Sequence, residues 1–150
     1  MRFLALLAAV GLLSGCLGGS NPLDRTGGGM RVELDVAIME SYPEQFLFQA
    51  RAENGGTSAF VYDHPGCPAE SIRIFVVVRG EERPIDRALF GPCVINERRF
   101  EPRQSVEENV PWDGTLDGER VPSGTYTAIA RLNVAGGAPR IEDRETFTVP

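Results

Sequence analysis

Lysine is absent from this chain, histidine occurs once and cysteine three times in 150 residues. So little His and Cys leaves scant material for a metal centre or a Cys/His catalytic pair. The 15 basic residues are all arginine, against 21 acidic ones, for a formal net charge of −6. Nucleic acid is therefore not an expected partner, because phosphate neutralisation requires a basic face. Long hydrophobic runs are missing as well: the N-terminal apolar stretch, Phe3 to Leu13, covers eleven residues. A membrane-spanning helix needs about 20. No Ser sits in a G-x-S-x-G elbow, and no phosphate-cradling glycine loop precedes a helix. No repeat is visible, and after Cys16 no segment of ten or more residues carries a helical period. What is abundant is Gly (17), Pro (11) and apolar residues (42%), too apolar for a disordered chain and suited to one turn-rich domain.

The N-terminus is the most informative stretch. Arg2 precedes the apolar run, whose length fits the h-region of a secretory signal peptide. The run ends in Leu13-Ser14-Gly15-Cys16, which resembles a bacterial lipobox. Small residues at Ser14 and Gly15 let a peptidase reach the Gly15–Cys16 bond, and the Cys16 thiol accepts a diacylglyceryl group. Acylation of the new Cys16 amine, by palmitate for instance, adds a further chain. At about 0.8 kcal/mol per buried CH₂, two or more chains anchor firmly where one is marginal. Cleavage removes Arg2, leaving 14 basic against 21 acidic residues and a net charge of −7. Such a domain is repelled by anionic lipid. Leu17, rather than Asp, follows Cys16, which leans towards the outer membrane if the cell has one. The expected divisions are a signal peptide (1–15), a lipidated Cys with a flexible Gly/Ser/Asn/Pro tether that includes Gly27-Gly28-Gly29 (16–29), and a folded domain (30–150).

From Met30 onward the pattern alternates. Val32, Leu34, Val36 and Ile38 share one face of a predicted strand, with Arg31, Glu33 and Asp35 on the other. Phe46, Phe48, Ala50 and Ala52 predict a second strand, closed by the turn Asn54-Gly55-Gly56. A short strand is expected over Ala59 to Tyr62, and a central one, buried on both faces, over Ile72 to Val78. Ala88 to Ile95 and Gln104 to Val110 give weaker signals, with Arg98-Arg99, Glu97 and Glu101 read as a solvated stretch between them. Gly124 to Val134 and Ile141 to Val149 complete the set. Seven or eight short strands with frequent turns predict an all-β, antiparallel immunoglobulin-like sandwich, with a small barrel as the alternative.

The most specific motif within the domain is Trp112-Asp113-Gly114, then Gly118, then Val121-Pro122-Ser123-Gly124-Thr125-Tyr126. It reads as a strand–turn–strand corner. Gly114 and Gly118 permit positive φ, Pro122 stiffens the approach, Gly124 allows a bend, and Trp112 and Tyr126 offer rings for packing. On these residues the chain resembles the intracellular proteinase inhibitor (BsuPI-like) domains and, more loosely, the Ig-like domain of flagellar hook-cap proteins. The BsuPI-like resemblance extends to Phe48–Asp63, an apolar strand, Asn-Gly turn, apolar strand and closing Asp. Glu101-Pro102-Arg103-Gln104-Ser105 stands where that family has a Pro-Gly-Glu-Ser turn, and departs from it in lacking Gly after Pro102. The resemblance implies an Ig-like fold and, by the family's name, protease inhibition.

With Cys16 lipidated, Cys67 and Cys93 remain as an even pair in matching Pro/Gly contexts, and a disulfide is expected in an oxidising compartment. Asp63-His64 makes a poor base and orienting carboxylate, since adjacent side chains of an extended segment point apart. Glu107, Glu108, Asp113, Asp117 and Glu119 read as a solvated rim rather than a Ca²⁺ loop, lacking D-x-D-x-D spacing. Arg98, Arg99 and Arg103 read as a surface ion-pair network rather than an anion clamp. The functional expectation is a non-enzymatic, lipid-anchored envelope module facing the periplasm or exterior, without metal or cofactor, binding another envelope protein or a glycan. The alternative is a protease inhibitor acting through an exposed loop.

Overall fold

A computed structural model of the chain describes residues 29–39, 45–66, 70–85, 93–135 and 140–150. The expectations placed on Gly15, Cys16 and Cys67 lie outside them. The apolar alternation of Met30–Ile38 forms β1, and that of Phe46–Asn54 forms β2. The two pair antiparallel in full register, Met30 opposite Asn54 and Ile38 opposite Phe46. Ser105–Trp112 forms β7, which pairs with the other edge of β2 and completes a sheet of order β1-β2-β7. A second antiparallel sheet contains β11 (Glu142–Val149), β10 (Gly124–Leu132), β4 (Ile72–Val78) and β5 (Glu81–Pro84), in that order.

The inward residues of these sheets meet in one core. Phe46 and Phe48 of β2, Ile72, Ile74 and Val76 of β4, and Ala128 and Ala130 of β10 are all nearly or fully buried there. The alanines of β2 and β10 leave room for the large rings opposite them, as close packing between layers requires. Two small sheets complete the strands: β3 (Phe60–His64) with β6 (Asn96–Phe100), and β8 (Thr115–Leu116) with β9 (Glu119–Arg120). Asn54 is fully buried and binds β6 to the end of β2: its Nδ2 donates to the carbonyls of Ser58 (2.9 Å) and Phe100 (3.0 Å), and its Oδ1 accepts from Gly56 N–H.

The fold is all-β, with the antiparallel layers of a β-sandwich, but four details differ from expectation. Eleven strands occur among the described residues, not seven or eight. Three of the additional ones, β5, β8 and β9, are short arms of hairpins with two-residue turns. β4 is not buried on both faces: Arg73, Phe75 and Val77 are only half-buried on the outer side, where the guanidiniums of Arg73 and Arg131 lie 5.1 and 4.9 Å from the Phe75 ring centroid. The stretch around Arg98-Arg99 is strand β6, because its exposed charges face out of a two-stranded sheet while Phe100 anchors it. Residues 93–95, the end of the weak strand expected over Ala88 to Ile95, are not strand, and 86–92 lie outside the described residues.

The two sides of the sandwich are unequal. On one, β1 packs along β11, and the Leu34 N–H donates to Asp143 Oδ2 at 2.9 Å. On the other, the unpaired edges of β5 and β7 have no comparable contact.

Candidate functional site at the Trp112 corner

β7 ends at Trp112, which is 4% exposed. Its ring lies 5.7, 5.9 and 6.0 Å from those of Phe46, Phe48 and Phe147. The indole N–H, which needs one partner when buried, donates to the Thr115 carbonyl at 2.7 Å. Asp113 Oδ1 accepts from both the N–H (3.0 Å) and hydroxyl (2.7 Å) of Thr115, so an Asx-type turn reverses the chain immediately after the strand. Gly114 (φ 78°) lies within this turn, and its carbonyl accepts from Val121 N–H. Asp117 (φ 53°) and Gly118 (φ 83°) are the two central residues between β8 and β9, the type I′ pattern that matches strand twist. Beyond Pro122, Gly124 opens β10 at φ 155°, and the Tyr126 hydroxyl donates to the Pro122 carbonyl at 2.6 Å. That bond to a backbone carbonyl four residues upstream has the form of the tyrosine corner of β-sandwiches.

A cleft of about 720 Å³ opens beside this corner, on the side where β5 and β7 are unpaired. Pro84 and Ile85 at the end of β5, Val110, Pro111 and Trp112 of β7, and Leu116 of β8 line it. Gln45, Asp113, Thr115 and Asp117 supply polar groups, and the charged residues lining it are both acidic. Asp117 is ion-paired with Arg83 of β5, which ties the β8–β9 tip to the second sheet. The motif residues were legible in the sequence. Gln45, Pro84 and Ile85 were not, because no local pattern announces that residues so distant in the chain converge.

The remaining candidates are placed elsewhere. His64 is fully buried; its Nδ1 accepts from Gly66 N–H (2.9 Å), and its Nε2 lies 3.0 Å from the Glu70 carbonyl, a contact that requires a proton on Nε2. Both ring nitrogens are thus occupied. Nearby, burial pushes the Tyr62 phenol up, with Arg98 and Ser71 opposing the shift. Arg98 turns inward to Ser71 Oγ (2.9 Å), whereas Arg99 pairs outward with Glu101 (2.5 Å), so the arginines of this stretch do not converge. Of the acidic set, Glu108 accepts from Ser71 N–H at 3.3 Å and Glu107 lies 3.5 Å from Arg51. Among the described residues no group of three His, Cys, Asp or Glu is gathered to hold a metal. Cys93 is exposed and disulfide-bonded, so it offers no thiol. Its pairing with Cys67 involves a residue outside those described.

The outer face of the second sheet carries a half-buried charge network that the sequence did not announce. Arg131 donates from Nε to Glu142 (2.7 Å) and from Nη2 to Glu82 (2.9 and 3.0 Å), and Arg144 also donates to Glu142. Burial alone would raise the Glu142 pKa, but the bonds from Arg144 and Arg131 outweigh it and hold the carboxyl below its ordinary value.

No known protein family matches the chain, and no curated protein matches it. Among solved structures it is similar to β-glucosidase 3B from Thermotoga neapolitana in complex with glycerol, with 19% identity over 81% of this chain and a TM-score of 0.43. It is also similar to Spo0M, a sporulation control protein from Bacillus subtilis, with 12% identity over 81% of this chain and a TM-score of 0.44. The match covers 16% of the first protein and 49% of the second, so the chain spans less than half the length of either.

Proposed function

We propose that this chain is a lipid-anchored, non-enzymatic module of the cell envelope that binds another envelope protein or a glycan. The cleft at the Trp112 corner carries the binding reading. It is a concavity of mixed lining, with Pro84, Ile85, Val110 and Leu116 beside Gln45, Asp113, Thr115 and Asp117, which can offer a ligand both apolar and polar contacts. The anchoring reading rests on Leu13-Ser14-Gly15-Cys16 and the short apolar run before it. It puts the domain outside the cytoplasm, at the outer membrane of a cell that has one. The single His is fully buried with both ring nitrogens in hydrogen bonds, which supports a role without a histidine base. The Ig-like assignment is supported by the sandwich layers and the tyrosine corner, and the narrower BsuPI-like one by the Trp112–Tyr126 block. Mass spectrometry of the protein from membranes is expected to show Cys16 as the acylated N-terminal residue. An unmodified N-terminus elsewhere, or a retained Met1, would overturn the anchoring.

A second reading, protease inhibition, is favoured by one segment. Val94 and Ile95 are 62% and 64% exposed, outside any strand, and follow the disulfide-bonded Cys93. The Val94 carbonyl is fixed by Asn96 Nδ2 at 2.8 Å. A braced loop offering β-branched side chains suits a protease with a small apolar specificity pocket. Inhibition of an elastase-type protease, lost in Val94→Asp/Ile95→Asp, is the expected result under that reading; no inhibition by the intact protein refutes it.

A further inference from the structure

We infer that the cleft between β5 and β7 docks an extended, basic segment of a partner protein, paired along the free edge of β7. This deepens the binding reading above and rests on it. Three observations converge on that occupant. Among the described residues β7 is the last strand of its sheet, and none of them pairs with its outer row of backbone N–H and C=O groups over residues 105–110, with Pro111 lacking the N–H that would continue it. Chains that recognise extended peptides use such an edge for main-chain bonds and adjacent pockets for alternate side chains. The cleft is such a pocket. Val110, whose side chain faces the interior, is both a β7 residue and part of its wall, so a peptide residue opposite Val110 would point into the cleft.

Charge selects the peptide. Asp113 and Asp117 are the charged residues that line the cleft, and Asp117 shares its charge with Arg83 of β5. Glu107 on β7 and Glu81 on β5 are exposed and only loosely paired, 3.5 Å from Arg51 and 4.0 Å from Arg83, so a basic peptide could compete for them. The chain as a whole is at −6, so an acidic or phosphate-rich partner would be repelled where a basic one is attracted. A peptide alternating Arg with β-branched residues would set an apolar side chain against Ile85 and Leu116 and an arginine beside Glu107 or Asp117.

Trp112, the single tryptophan, lines the cleft and so reports its occupancy directly. The full, lipidated chain in detergent would be titrated with a synthetic peptide alternating Arg with Val and Thr, followed by Trp112 emission. Saturable binding is expected. It should weaken about fivefold in Asp117→Asn/Glu107→Gln, a loss of about 1 kcal/mol, and fall steeply with salt. Asn tolerates the positive φ of residue 117, and because the variant also releases Arg83, Arg83→Gln is its companion: it breaks the same ion pair yet should tighten binding, whereas weakening in both would overturn the inference. The backbone N-methylated peptide, which cannot pair with an edge, should not bind. Equal binding of a Glu-for-Arg peptide, equal binding of the methylated peptide, or binding without a change at Trp112 would each overturn the inference.

A photo-crosslinking residue at Pro84, on the exposed rim, or at Ile95, on the distant β6 approach, separates this inference from the reading beneath it in cells. Cross-links from Pro84 that map to a basic, extended segment of another envelope protein support it. A second copy of this chain or a glycan captured there overturns it, as does protein capture from Ile95 alone, which leaves the envelope-binding reading standing. Capture from neither position, with no peptide binding, refutes both.

Discussion

Trp112 is held by three aromatic neighbours and a hydrogen bond to Thr115, so its role in the fold precedes any role at the cleft. Trp112→Ala is expected to destabilise the domain by about 3–5 kcal/mol, since it removes a ring from a packed core and leaves a cavity. Denaturant titration measures this, and an unshifted midpoint would mean that Trp112 acts chiefly as a contact for ligand. Tyr126→Phe keeps the ring near Phe147 and removes only the bond to Pro122, so about 1 kcal/mol is expected. Glu142 gives a pH signature. Its side chain is 14% exposed and its carboxyl is held below the ordinary 4.5 by Arg144 and Arg131 despite burial, so the folded state resists protonation more than the unfolded one. Its stabilisation is therefore complete above that pH and is lost as pH falls from there through the lower folded value. Acid denaturation of Glu142→Gln should accordingly be shallower below pH 4.5 than that of the parent chain. Parallel acid limbs would show that the network contributes nothing to stability.

Strands that bury one face are legible in this sequence because burial imposes a period of two on their residue types. β1, β2, β10 and β11 follow from Val32/Leu34, Phe46/Phe48, Ala128/Ala130 and Phe147/Val149. Short arms are not legible by that route. β5 carries Glu81, Glu82 and Arg83 with no apolar alternation, and β8 and β9 have two residues each. Their signal lies in the turns, Arg79-Gly80 (φ 54° and 84°) and Asp117-Gly118 (φ 53° and 83°), both of the type I′ pattern. The corner could be read because its glycines mark it, whereas the cleft depends on how two sheets are placed. The turns also grade the glycines by what surrounds them. A Cβ at Gly118 would meet nothing within 4 Å, so Gly118→Ala should cost only the conformational penalty of about 1–2 kcal/mol. At Gly29 (φ +93°) a Cβ would fall 2.5 Å from Gly56 N, so Gly29→Ala must also displace backbone. Thermal melts are expected to place Gly29→Ala well below Gly118→Ala; equal midpoints would contradict the close Gly29–Gly56 approach.

On the scale of the whole molecule, the sandwich is closed along β1 and β11 and, among the described residues, open along β5 and β7, so the edge proposed to take a partner is opposite the edge that is packed. The β3–β6 sheet bonds to the end of β2 through Asn54 and reaches β10 through the bond from Ala135 N–H to the Asp63 carbonyl. A covalent link from Cys93, immediately before β6, would secure this small sheet, whose two strands are too few to be stable alone. The proposed partner is Cys67, which follows β3 in the sequence just as Cys93 precedes β6. Antiparallel pairing of His64 with Asn96 brings those two strand ends side by side, a placement that favours the pairing. The bridge would close a loop of about 26 residues and stabilise the fold by about 3 kcal/mol on the chain-entropy model. Reductant should therefore lower the denaturation midpoint of the parent chain, and the Cys67→Ser/Cys93→Ser double variant should have that lower midpoint without reductant and show no further response to it. Peptide mapping without reduction should recover Cys67 and Cys93 in one linked fragment. A midpoint unmoved by reductant, or labelling of the Cys67 thiol in the native protein, would refute the pairing.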